Sequence, residues 1–126
     1  TVQRGNGTLL DEPGYRAKLA ELEVDLLAAE YTELRSLASA ANGSEPGPES
    51  SILKLKGTEI QQRIQKLTVE AGGIYSAAWG QSSAGHKFAR GGMTGYLSSR
   101  AYTIYGGASE VQKDVVAKNV LGLRKS

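Results

Sequence analysis

"EPGYRAKLAELEVDLLAAEYTELRSLASAANG", residues 12–43, decides the fold. Leu19, Leu22, Leu26, Ala29, Leu34 and Leu37 recur at spacings of three to five with charged residues between them. That is the period of an amphipathic helix, not the alternation of a half-buried strand. Asp11 stands ahead of it as a candidate cap, and Pro13 falls in the first turn, where a missing N–H costs little. Asn42-Gly43 supplies the stop. One long helix over about 12–41 is expected.

The flanking sequence extends the pattern. "NGSEPGPES", residues 42–50, is a loop by composition, and Pro48 opens a second helix over about 49–71 with Leu53, Ile60, Ile64, Leu67 and Ala71 as its apolar stripe. Gly57 interrupts that helix at a cost of ~1 kcal/mol relative to alanine, which suggests a close approach by another helix. Gly72-Gly73 ends it. Residues 74–92 are small and polar around Trp79 and Phe88 and read mostly as loop. A third helix is expected over about 93–104, with Leu97, Ala101 and Ile104 on one face. A fourth is expected over about 109–121, with Val111, Val115 and Leu121 inward and Gly122 past its end. No alternating strand pattern stands out. The expected fold class is all-α, part of an up-down four-helix bundle, as a single domain over 1–126.

Composition narrows the function classes. Hydrophobic residues make up 40% and charged residues 22%, the balance of a soluble globular chain. The net charge of +2 is too small to argue for nucleic acid, although Lys113, Lys118, Arg124 and Lys125 gather near the C-terminus. Those charges suit the negative end of the last helix equally well. There is no cysteine, hence no disulfide framework and no thiolate metal site, which fits a cytoplasmic location. His86 is the only histidine, so a multi-histidine metal site is excluded, and no metal ligands are assigned. Ser82 and Ser83 share its loop with no placed acid, and no nucleophile is assigned there. Arg16, Lys18, Glu21, Glu23, Lys54 and Lys56 read as solvated helix faces. No apolar run is long enough to span a membrane.

One stretch carries a candidate site: "IYGGASEVQKDVVAKNVLGL", residues 104–123. Ser109 and Gln112 have the S-x-x-Q spacing of a capping box, and Glu110 complements the positive helix end. Local capping alone explains much of this. Gly106-Gly107 adds side-chain-free backbone, where a ligand can come close to free N–H groups. The stretch is neither a P-loop nor a dinucleotide fingerprint. Tyr102 and Tyr105, flanking Ile104, either line a pocket or fill core.

Taken together, "YTIYGGASEVQKDVVAKNVLGL", the Pro-Gly-Pro loop and the Ser-Ser-Ile-Leu-Lys-Leu opening of the second helix strongly resemble the C-terminal helical domain of the acyl-CoA dehydrogenase family. The resemblance covers most of the chain from about residue 9. It implies an FAD enzyme in which a carboxylate removes the proton α to a thioester carbonyl while hydride passes from the β-carbon to flavin, giving a 2-enoyl-CoA. By position it implies that Gly107, Ala108, Ser109 and Glu110 form an FAD-contacting turn, with Gly72 and Gly73 matching a second, adenine-side glycine pair. Tyr105 and Gly106 fall at the substrate pocket. The family's N-terminal helical and middle β-domains have no counterpart here, and the chain begins at Thr1, so a fragment of a longer enzyme is expected, inactive alone. Self-association is implied too, since the family's C-terminal domains meet at the centre of tetramers.

There are departures from the family pattern. Ala108 stands in place of the usual threonine, Val69 in place of a frequent glutamine, and the 74–92 loop is long. Gly106 occupies the slot where one branch carries its catalytic glutamate; another branch keeps glycine there and carries the acid on a preceding helix, absent from this chain. No catalytic residue is therefore assigned within it. The alternatives are a non-catalytic assembly subunit of the same fold and, further off, a basic helical nucleic-acid binder.

Overall fold

The computed structural model describes residues 2–44, 47–77 and 87–123. Strands β1 (Gln3–Arg4) and β2 (Gly7–Thr8) form a short antiparallel ladder, followed by a 3-10 turn at Leu9–Asp11. Helices α1 (Pro13–Ala41) and α2 (Glu49–Gly72) come next, then 3-10 turns at Gly73–Ala77 and Lys87–Ala89. Helix α3 (Gly92–Ser98) continues as a 3-10 turn over Ser99–Thr103, and α4 spans Ser109–Asn119. The fold is all-α, as its apolar periodicity requires. The two-residue ladder is too short to show in any period-2 pattern.

Both ends of α1 follow from local chemistry, one of them differently from expectation. Asp11 does not cap the helix. Its carboxylate reaches back to the Thr8 N–H (2.7 Å) and the Thr8 hydroxyl (2.8 Å), closing the 3-10 turn before α1 begins. At the other end Gly43, at φ +80°, lets the Gly43 N–H bond Ala40 O (3.0 Å) and the Ser44 N–H bond Ser39 O (3.1 Å). These two bonds are the double closure of a Schellman end.

The chain divides into two compact units. The first comprises Thr1–Val24 and Gln61–Arg100, the second Asp25–Ile60 and Ala101–Ser126. In the first unit the start of α1 lies along the end of α2: the Tyr15 hydroxyl donates to Leu67 O (3.2 Å), and Lys18 pairs with Glu70. Its buried apolar residues are Leu9, Leu22, Leu67 and Ala89. Gly72 is glycine for a steric reason: a Cβ there would overlap the Ser76 hydroxyl and stand 2.9 Å from the Ala89 Cβ. Ser76 is fully buried.

In the second unit Ile60 is the one buried large apolar residue among the described residues, with Ser51 and Thr58 also buried on α2. The predicted stripe of α1 is helical but uncovered there: Leu26, Leu34 and Leu37 are half or more exposed. Val111 and Leu121, expected to face inward, are exposed as well. Gly57 marks no close approach, since a Cβ there would meet nothing within 4 Å.

The third helix is shorter than expected. Ser98 and Ser99 return their hydroxyls to Thr94 O and Tyr96 O, both at 2.7 Å, and at that point the α-helix tightens to a 3-10 turn. Residues expected to be loop from 74 onward include the two 3-10 turns; Trp79, Ser82, Ser83 and His86 lie outside the described residues. The fourth helix ends two residues early, with Gly122 at φ +66° and the Leu123 N–H bonding Ala117 O (3.0 Å). Among the described residues no helix is long and apolar enough to cross a membrane.

Candidate functional site

The glycine-rich turn belongs to the second unit and is held at both ends. Upstream, the N–H groups of Ile104 and Tyr105 both bond Ala101 O, at 2.9 and 3.1 Å. Tyr102 and Tyr105 meet edge to face with centroids 5.4 Å apart. Tyr102 is half-buried and Tyr105 57% exposed, so the pair is surface-lining and not core. Loss of hydration, then the neighbouring Tyr102, pushes the Tyr105 phenol above the ordinary tyrosine value.

Gly106 and Gly107 then turn the chain at φ +71° and +96°, a region that side-chain-bearing residues avoid. A Cβ on Gly106 would meet open space, whereas one on Gly107 would overlap the Gln112 side-chain amide. The capping arrangement differs from the predicted box. Ala108 is the N-cap, at φ −57° and ψ 144°, and its carbonyl accepts the Gln112 N–H at 3.0 Å. Ser109 is already the first helical residue, one position too late for its hydroxyl to cap, and Gln112 lies against Gly107. No side-chain oxygen caps α4, which leaves the N–H groups of its first turn to solvent or ligand. Glu110 is exposed in that turn.

Gly72 and Gly73 fall in the first unit. Gly72 is buried under Ser76 and Ala89, while Gly73, at φ +55°, is half-exposed and leads into Ile74, which is 84% exposed. Of this pair, only Gly73 offers accessible backbone. A groove of ≈ 820 Å³ in the second unit runs between the last turns of α1 and the first of α2, with Ser36, Leu37, Ile52 and Leu53 among its walls; no residue of 105–110 lines it. No group of carboxylates or histidines among the described residues is arranged to hold a metal ion.

Sequence reasoning missed Lys54. Read as part of a solvated face, it instead donates from Nζ to Tyr102 O at 2.9 Å, joined by the Thr58 hydroxyl at 3.4 Å. Lys56 and the other residues of that reading stay exposed, Lys56 paired with Glu59 at 3.2 Å. The signal was the i, i+4 spacing of Lys54 and Thr58, which sets two donors on one helix face.

The family model for the acyl-CoA dehydrogenase C-terminal domain matches residues 1–121. The chain belongs to this family. It is 29% identical over 115 residues to the acyl-CoA dehydrogenase IpdE1 of Mycolicibacterium smegmatis, an alignment covering 90% of this chain and 26% of that protein. The chain thus spans about a quarter of the length of this curated relative. In structure it is similar to a chain of the ChsE4-ChsE5 complex from Mycobacterium tuberculosis, with a TM-score of 0.76 and 24% identity, covering 98% of this chain and 32% of that one. The last likeness shows a shared fold and nothing finer.

Proposed function

We propose that residues 1–126 are the single C-terminal helical domain of an FAD-dependent acyl-CoA dehydrogenase, which oxidises an acyl-CoA thioester to the 2-enoyl-CoA. The observation that carries this reading is the uncapped start of α4 behind Gly106-Gly107, in a chain matched to the family over residues 1–121. The residues fit such a cofactor. FAD, when bound, supplies the redox chemistry. Gly106 and Gly107 leave the approach to the helix start free of side chains, and the first-turn N–H groups at Ser109 and Glu110 are available to donate. Ala108 contributes backbone only. Gly73 offers a second, adenine-side backbone contact, with Gly72 shaping it from beneath. Tyr105 and the open space over Gly106 border the acyl chain.

Gly106 has no group to accept the α-proton, so in this reading the catalytic carboxylate belongs to a segment outside this chain. The uncovered leucines of α1 favour assembly with further copies or with a partner chain, and the structurally similar chain is itself part of a complex. A second reading, a base-less subunit that assembles but relies on a partner for catalysis, is favoured by glycine at position 106 alone.

The test is direct. The 126-residue chain, purified and mixed with FAD, is expected to hold no stoichiometric flavin and to turn over no acyl-CoA. In the protein that carries it, Glu110→Gln should mainly weaken FAD retention, while neutralising the base on the other segment should collapse turnover. Tight flavin binding with turnover by the isolated chain would contradict the proposal.

A further inference from the structure

The carbonyl of Tyr102 lies in the 3-10 turn Ser99–Thr103, the last regular structure before the glycine turn. At that point the backbone abandons it. The Tyr105 N–H, the donor that a further 3-10 bond to it would need, goes with that of Ile104 to Ala101 O. Two side chains of α2 take the Tyr102 carbonyl instead, Lys54 Nζ at 2.9 Å and Thr58 Oγ1 at 3.4 Å. The final carbonyls of a helical turn carry partial negative charge, so an ammonium is well matched to this one, and a charge-assisted bond is stronger than a neutral one. Thr58 is buried and Lys54 half-buried, which limits competition from water. Lys56, two residues along, pairs with Glu59 and takes no part.

The same four-residue spacing recurs at Gln62, whose side-chain amide donates to Ser99 O at 3.1 Å in the first unit. Within the second unit two donors of one helix face, at positions 54 and 58, are thus spent on one carbonyl of a five-residue turn. Core burial does not explain this, since the segment that follows is exposed from Ile104 through Gly107. What the bonds do fix is the Tyr102 peptide. Through it they fix the edge-to-face Tyr102–Tyr105 pair and the point where the chain enters Gly106 at φ +71°.

The geometry points to Lys54 and Thr58 as positioning residues that hold the glycine turn in its conformation from α2, acting through the Tyr102 carbonyl. The consequence for cofactor retention rests on the function proposed above; the consequence for the turn does not. The experiment uses the protein that carries this chain, as Lys54→Met, Lys54→Arg, Thr58→Val and Lys56→Met variants, and reads hydrogen exchange at the Ile104, Tyr105 and Gln112 amides together with FAD retained through dialysis. Lys54→Met should speed exchange at these three amides by about tenfold, with the amides of α1 unchanged. Lys54→Arg, which keeps a cationic donor, should restore most of the protection, Thr58→Val should give a smaller rise, and Lys56→Met none. FAD retention should fall in the same order as protection is lost.

Unchanged exchange in Lys54→Met overturns the proposal whatever the flavin does. Faster exchange with full flavin retention overturns the positioning role. If the wild-type protein holds no flavin, the proposed function fails, and the exchange measurement alone decides whether the turn is held from α2. Should Lys54→Met not fold, the graded response of Thr58→Val and Lys54→Arg decides in its place.

Discussion

Ala108 and Ser109 differ by one position and by one role. Ser109 looks like a cap in the sequence because serine three residues before glutamine is the usual capping pair. The pair does not form, because the two positive-φ glycines set Ala108 at the cap and bring the Gln112 amide against Gly107. The capping contribution, roughly 1 kcal/mol, therefore belongs to position 108 and not to Ser109. Ser109→Ala should leave thermal stability nearly unchanged, while Ala108→Ser should raise it by ~1 kcal/mol by supplying the missing acceptor, read from paired thermal melts. Asp11 adds a pH signature. Hydrogen bonds from the Thr8 N–H, then from the Thr8 hydroxyl, hold its carboxyl below the ordinary carboxylate range. A lowered folded pKa stabilises above the unfolded value, so this contribution is constant at neutral pH and is lost as pH falls below about 4. Asp11→Asn should remove that acid-side dependence in pH-resolved melts and leave the neutral-to-alkaline side unaltered.

At the scale of elements, the long helices were legible and the short ones only in part. The apolar period, Pro13, the Asn42-Gly43 stop and the Gly72-Gly73 stop give α1 and α2 to within a residue or so, because each signal is local. The third helix was overestimated because serine hydroxyls that return to the preceding carbonyls turn it to 3-10 geometry after Ser98, an effect that periodicity does not register. The site itself was legible as a motif, Gly-Gly before an acidic helix start, but not as a geometry. Neither the shift of the cap nor the hold by Lys54 can be read without knowing which helix faces Tyr102. Gly57 was a misread signal: it is exposed in the interior of α2 with open space where its side chain would be. Gly57→Ala should therefore stabilise the chain by ~1 kcal/mol through helix propensity alone. A destabilisation would reveal a neighbour that the isolated chain does not contain.

At the scale of the whole molecule the account concerns what the chain leaves uncovered. Leu26, Leu34 and Leu37 lie on α1 half or more exposed, and covering what remains exposed would be worth about 1 kcal/mol each. A surface of that kind favours association. Sedimentation across a wide concentration range should show self-association, and a Leu34→Glu, Leu37→Glu double variant should shift it toward monomer with helix content unchanged. A clean monomer at all concentrations would remove this part of the account. The central claim, that the turn Gly107–Glu110 contacts a flavin, is tested most directly by hydrogen exchange over residues 104–112 in the protein that carries this chain, with and without FAD. The account predicts that FAD slows exchange at the Gly107, Ser109 and Glu110 amides, whose donors lie at the start of α4 without intrahelical partners. FAD bound at full occupancy with exchange at those amides unchanged would contradict it.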